Sequence, residues 1–467
     1  MITKMLKPSR YSQIYGSFPI SLITLGTLIF SHFYGTIGLL CSILILMIPL
    51  YILRRYIDIL TTYTCVVGLV LGTILNLMST QQIKEDQLFI GHNENTNILY
   101  ATALQDNSYH RQKHSVWIRL SKSEGRYILS QAKGKIRLYI PSGQPRFFQG
   151  AQLALAIRPA NLNDPNTWID VKKVSVLGYS HLIWALRARI FEKIGSLFEQ
   201  RFDLRSGLFF ALILGDRSAL LPIPAHQIRL AGITHLLALS GLHLGLLTVL
   251  LFSVFRSLAN KKITYFIVLP VLLVYVILVG CPSSLIRAYL SVALAAGLWI
   301  HGRNARALDI LGFVCLLSLL LDPTAFLSIS WQLSFLSVLG ILLFQKDYAQ
   351  FLYFLPRPLA EALAVGLAAT TTTTPILSWQ FSEAYPHGIL ATIVVIPFLL
   401  FWIISGILTM LFAALHPIFV FFDEVVWWVI RLFSWIPSWS NFSALITFTL
   451  LIPLFCYFIL WRKNNCA

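Results

Sequence analysis

A multi-pass helical membrane protein carrying one small all-β domain is what the sequence predicts, and three observations predict it. Of the 467 residues, 57% are hydrophobic and only 12% charged, with a mean hydropathy of +0.73. Soluble domains run nearer half apolar and a quarter charged. Apolar runs recur at lengths near the ~20 residues that cross about 30 Å of hydrocarbon. One stretch, 80–175, breaks the pattern: it is polar, holds no run able to span, and alternates in places with a period of two. A chain this apolar cannot hide its surface in one soluble core, so the bilayer must be its solvent.

Three apolar runs open the chain, at 17–33, 36–53 and 57–78. Lys4, Lys7 and Arg10 precede the first, as in a signal peptide, but no small-residue cleavage site follows, so the run reads as an uncleaved membrane helix. With Arg54 and Arg55 after the second run, these charges place the N-terminus in the cytoplasm and the exit of the third span outside. Residues 80–175 then form an extracytoplasmic domain. The pieces 98–104, 115–121, 135–140 and 152–158 alternate like strands, and Gly91, Gly125, Pro141-Ser142-Gly143 and Asn163-Asp164-Pro165 punctuate them. About five short strands suggest a small barrel or sandwich.

Residues 176–206 form a linking unit. Within it Leu182, Leu186, Ile190, Ile194, Leu197 and Phe198 recur at helical spacing, with Arg187, Arg189, Lys193 and Arg201 between them. This is an amphipathic helix for the interface, or one packed on the β domain. From 207 to 467 the chain is a membrane domain, with spans at 232–256, 263–280, 283–301, 306–321, 326–344, 358–379, 388–414 and 443–461. Residues 207–221 are too short to cross comfortably and re-enter; 418–436, with Asp423, Glu424 and Arg431, lie in the interface. Residues 1–79 hold the first helices, which gives about 11–12 membrane segments in all. Arg462 and Lys463 favour a cytoplasmic C-terminus.

The net charge is +17, from 36 Lys and Arg against 19 Asp and Glu. Cytoplasmic loops of membrane proteins collect such charge; a polyanionic substrate is the sharper reading, and only location separates the two. The six cysteines form no C-x-x-C pair and sit mostly in apolar runs, so they read as small apolar side chains.

The chemistry concentrates in 211-ALILGDRSALLPIPAHQIRLAGITHLLALSGLHLGLL-247, which puts Asp216, Arg217, His226, Arg229, His235, Ser240 and His243 in or beside apolar segments. Ionisable groups in a membrane are costly and usually face a bundle interior or a watery path. Each alone could merely hold helices together; the concentration favours a pathway. Ser240 and His243 share a helix face, with Asp216 upstream, but no G-x-S-x-G elbow supports a hydrolytic triad. His235 and His243 lie about 12 Å apart on a straight helix, too far for one ion with ~2 Å bonds unless the helix breaks at Gly241, so no metal is expected. Further along, Arg287 and Gln332 with Ser334 fall inside spans. Thr370 to Thr374 before Pro375 suggest a loosened helix whose hydroxyls replace lost backbone bonds.

The motifs GDRSAL, THLLALSGLHLGLL, SSLIRAYL and LDPTAFLSISWQLSFLSVLGILLF, with 362–397, closely resemble the competence domain of ComEC proteins. The resemblance covers nearly the whole chain, and H-L-L-A-x-S-G-L-H is its specific part. It implies a DNA-uptake channel of the inner membrane, with N-terminal spans, an OB-like extracytoplasmic domain and a multi-span channel domain. By motif match, Asp216, His235, Ser240, Gly241, His243, Arg287 and Gln332 belong to the translocation pathway. Many ComEC proteins also carry a C-terminal metallo-β-lactamase-like domain. No H-x-H-x-D-H motif occurs in this sequence, so that activity is expected to be absent and no cofactor is expected.

The β domain supports nucleic acid independently. Arg111, Lys113, Arg119, Lys122, Arg126, Lys133, Lys135, Arg137 and Arg146 fall within 110–146, against the single acid Glu124. Tyr109, Trp117, Tyr127, Tyr139 and Phe147 are interleaved with them. Basic grooves with aromatic platforms hold single strands without sequence preference; contact with anionic lipid is the plain alternative. Arg111, Lys113, Trp117, Arg119, Lys133, Lys135 and Arg137 are the expected DNA contacts. Alternation would let Lys133, Lys135 and Arg137 share one strand face, and Lys113, Trp117 and Arg119 another. The expected partners are single-stranded DNA and membrane lipids. A DNA channel would add a separate nuclease, a periplasmic DNA receptor, a cytoplasmic helicase or ATPase, and further copies of itself. A secondary transporter of a small anion is the competing function, but it needs neither the basic β domain nor the motif run.

Overall fold

The computed structural model describes residues 23–29, 59–86, 89–90, 96–104, 114–125, 129–133, 135–140, 145, 147–157, 169–202, 207–215, 222–237, 241–257, 259–303, 306–381 and 383–440. A helical segment at 23–29 and helix α1 (Ile59–Asp86) precede seven strands: β1 (Phe89–Ile90), β2 (Thr96–Ala103), β3 (His114–Gly125), β4 (Leu129–Lys133), β5 (Lys135–Ile140), β6 (Ala151–Ile157) and β7 (Ile169–Tyr179). Helices then dominate: α2 (Leu182–Arg201), α3 (Gly207–Leu214), α4 (Pro222–Leu230), α5 (Thr234–Leu237), α6 (Gly241–Arg256), α7 (Lys261–Leu278), α8 (Ser283–Ile300), α9 (Ala307–Leu321), α10 (Ile329–Phe351), α11 (Arg357–Gln380), α12 (Gly388–Leu411) and α13 (His416–Ser434). A short pair, β8 (Glu383–Ala384) and β9 (Trp439–Ser440), clasps the loop before α12 to the chain after α13.

Period-two burial builds the β domain. Leu99, Ala101 and Ala103 of β2, Ile118 and Leu120 of β3, and Ala151, Leu153, Leu155 and Ile157 of β6 share one core with Phe147, Val171 and Val174. Alternate strand positions lie on one face, which is why these runs close over a common interior. β2 pairs antiparallel with β3 and β6, and β6 pairs antiparallel with β7. β7 runs parallel to β5, which returns antiparallel to β3. The ladder thus closes as β2-β3-β5-β7-β6-β2, a ring that hides its strand edges. Four of these strands match the alternating pieces of the sequence. β7 escaped because register shifts against β6 put Val171 and Val174 out of step with a strict period of two.

Among the described residues five helices are long and apolar enough to cross a membrane: α7, α8, α10, α12 and the segment 413–434 that contains α13. The last covers most of 418–436, which the sequence reading placed in the interface. Helices α6 and α9 are apolar but shorter. The single span expected over 232–256 is two helices, α5 and α6, and Gly232, with a φ of 74°, turns the chain between α4 and α5. Helix α3 has only eight residues, nearly all buried. Helix α11 continues through Pro375 rather than loosening there. Thr370, Thr371, Thr373 and Thr374 donate their hydroxyls to carbonyls one turn back, and Thr372 Oγ1 donates to Leu336 O of α10 at 2.8 Å. The threonine run therefore fastens α11 to α10, where Gly340 lets the backbones approach.

Helix α2 joins ring and bundle. Gly150, with a φ of 81°, lies flat on Trp184, and Ser180 N donates to Gly150 O at 2.8 Å. Arg187 is 2% exposed and donates Nε to Leu278 O at the end of α7, 2.8 Å away. Past the end of α2, the Phe202 ring meets Phe419 of α13 at 4.8 Å. Its buried side (Ala188, Phe191 and Phe198) joins the largest core, while Leu182, Ile183, Leu186, Ile190 and Leu197 stay exposed.

Candidate functional site

Four helix starts converge at one end of the bundle. Gly241, at the start of α6, faces Ala288 of α8, one residue after Arg287. Arg287 is 6% exposed and donates Nη2 to Ser330 O at the start of α10, 3.0 Å away, with its guanidinium 5.7 Å from the Phe335 ring. Its Nε is buried and meets no acceptor among the described residues. Gln332, one turn into α10, donates Nε2 to Phe326 O at 2.8 Å. Gly232 packs directly on Gly388, the first residue of α12, and no side chain fits between them. That contact brings His235 Nε2 to 3.3 Å from Thr392 Oγ1, while His387 Nε2 lies 2.9 Å from Leu230 O.

The structure therefore gathers Gly241, His243, Arg287 and Gln332 on the starts of α6, α8 and α10, and places His235 beside α12. His243 is buried and His235 exposed. Asp216 and Ser240 lie outside the described residues. His235 and His243 sit on separate helices, so the straight-helix spacing does not apply, yet among the described residues no three His, Cys, Asp or Glu side chains group to hold a metal. The arrangement is polar, cationic and apolar-walled. Helix starts carry partial positive charge, and Arg287 adds a full one; together they favour an anion at this end.

Sequence reasoning missed His387, Gly388 and Thr392, although 385-YPHG-388 stood inside the motif run. A glycine flanked by His and apolar residues at a helix start was the available signal. Just outside the spans, burial and then the Glu383 carboxylate push the Tyr385 hydroxyl up, so it stays protonated and bonds Glu383.

In the β domain, Arg111 and Lys113 lie outside the described residues. The register pairs Trp117 with Arg137 and Arg119 with Lys135 across β3 and β5. These positions alternate with Ile118 and Leu120, which are buried, and Arg119 is exposed. Lys133 ends β4 whereas Lys135 begins β5, so the three basic positions 133, 135 and 137 do not share one strand as the sequence suggested.

Fold and site together define a multi-pass helical membrane protein with a buried arginine among the helix starts at one end of its bundle and a closed β ring joined to that bundle by α2. The sequence profile of the Competence protein family matches residues 212–464, more than half of the chain, and the chain belongs to that family. It is 28% identical over 266 residues to ComE operon protein 3 of Bacillus subtilis (strain 168), covering 54% of this chain and 33% of that protein. It is 27% identical over 303 residues to an uncharacterized protein of Aquifex aeolicus (strain VF5), covering 62% of this chain and 70% of that one. The matched segment thus spans a third of the Bacillus relative. No solved structure matches the chain.

Proposed function

We propose that this protein conducts single-stranded DNA inward across the cytoplasmic membrane, receiving it on the β ring and passing it along the helix starts that gather around Arg287. The observation that carries this reading is the closed ring itself. Its strand order, with one parallel contact between β5 and β7, supports reading it as an OB-like barrel, a fold that binds single strands on basic, aromatic faces. Trp117, Arg119, Lys135 and Arg137 occupy adjacent positions of one such face.

The charges at the helix ends support the orientation. Arg256, Lys261, Lys262, Arg303, Arg306, Lys346 and Arg357 flank the turns at one end of the bundle. The turns at the other end, 279–282, 322–328, 381–387 and 435–440, contain no Lys or Arg and include Asp322 and Glu383. Positive loops stay in the cytoplasm. Arg187 ties α2 to the end of α7 that lacks them, which supports a ring outside the membrane and a cluster around Arg287 at the outer mouth. The exposed ridge of α2 then meets lipid.

The test is uptake of labelled DNA by competent cells whose own copy is replaced. Asp216→Ala, His243→Ala and Arg287→Ala should each lower uptake at least tenfold while the protein stays folded in the membrane. Wild-type uptake in all three variants at wild-type abundance would remove the pathway assignment.

A further inference from the structure

Helix α13 carries two ionisable groups that the proposed DNA path does not use. Asp423 lies near the middle of the helix, is 8% exposed, and its Oδ1 is buried with no hydrogen-bond partner among the described residues. His416, at the first position of the same helix, has a buried Nδ1 in the same condition. Positions seven apart lie two turns along one helix face, about 10 Å from each other. Phe419 sits between them, within 6.4 Å of the His416 ring, and is buried in the largest core.

Among the described residues no cation pairs with Asp423. Along Gly388–Leu411 and Gly207–Leu214, helices α12 and α3 contain no ionisable side chain. Helix α4 brings His226 and Arg229, both exposed, and the end of α2 brings Phe202 and the half-buried Arg201. The Trp402 indole of α12 interacts with the carboxyl, and the neighbouring charge that reaches it is Glu424. Glu424 faces outward with Arg431, 3.5 Å away. A lone carboxylate so enclosed costs several kcal/mol or more, so the group is retained in its neutral form or exchanges a proton with a neighbour. Chains of Asp, Glu and His in membrane helices are proton relays.

We infer that Asp423 and His416 form a proton-conducting pair on the inward face of α13, with Asp423 holding the proton at mid-depth and His416 exchanging it with the end of the bundle where the basic turns lie. The ligand is the proton alone: the carboxylate takes it up as a carboxylic acid and releases it to the imidazole or to water, with no other bond changed. The inference is independent of the cargo being DNA.

The experiment uses the full chain in proteoliposomes with an internal pH dye and a potassium diffusion potential, negative inside, with and without added oligothymidylate. Wild type should acidify the lumen faster than empty vesicles in at least one of the two conditions. Asp423→Asn should slow acidification at least tenfold and His416→Gln should slow it severalfold. Asp423→Glu should restore flux with a shifted pH midpoint. If Asp423→Asn does not fold, the Glu variant decides: a pH profile identical to wild type overturns the pair. Wild-type flux no faster than empty vesicles in both conditions, or unchanged flux in folded Asp423→Asn, also overturns it. Failure of DNA uptake with proton flux intact would instead count against the proposed cargo.

Discussion

Arg287 is a buried cation whose bonds are only partly met: Nη2 reaches Ser330 O, while Nε finds no acceptor among the described residues. A charge left in that state favours a visiting acceptor, and phosphate oxygens supply one. The glycines around it work by absence. A Cβ at Gly388 would run into the Gly232 backbone, and one at Gly232 would lie 2.8 Å from Gly388 Cα. Gly388→Ala should therefore destabilise the folded protein by about 1–3 kcal/mol, the usual cost of overpacking. It should also separate His235 from Thr392. Thermal unfolding in detergent checks this: a melting temperature equal to wild type would mean the two backbones can part freely.

At the scale of elements, the alternating order of α6 to α13 sets which turns share a side, and the proposed orientation puts the basic turns in the cytoplasm. Lys346→Cys should react with a membrane-impermeant thiol reagent only from the cytoplasm, and Glu383→Cys only from outside. The opposite pattern would invert the protein and put the ring in the cytoplasm. Much of this scale was legible in advance. Long apolar runs gave α7, α8, α10 and α12, and strict alternation gave β2, β3, β5 and β6. What was not legible depends on partners distant in sequence. The turn between α4 and α5 rests on the Gly232–Gly388 contact, and β7 is hidden by its bulges. Asp423 looked like interface polarity because its surroundings, the Trp402 indole among them, come from other helices. The motif run named His235 and Arg287, but their ties to Thr392 and Ser330 exist only in three dimensions.

At the scale of the molecule, the proposed function has the ring and the bundle acting in series. The purified full chain should bind single-stranded DNA without sequence preference, with affinity falling steeply as salt rises, by about 0.7 log units per log unit of salt for each phosphate contacted. Trp117→Ala should weaken binding with little change in that slope, since stacking is worth about 1–3 kcal/mol per base and carries no charge. Changing Lys133 and Arg137 together to Ala should lower the slope by roughly 1 to 2. Fluorescence anisotropy across a salt series reads both; a slope unmoved by the double change would take the basic face out of DNA binding.

The central claim is that this chain passes one DNA strand through the bilayer, and reconstitution tests it most directly. The full chain is placed in proteoliposomes with end-labelled oligonucleotide outside, an imposed potential, and nuclease added afterwards to remove whatever stays accessible. The account predicts protected single strand that accumulates with time, little protected duplex, and at least a tenfold loss in Arg287→Ala. Protection of neither form above empty vesicles, or equal protection of single strand and duplex, would contradict it.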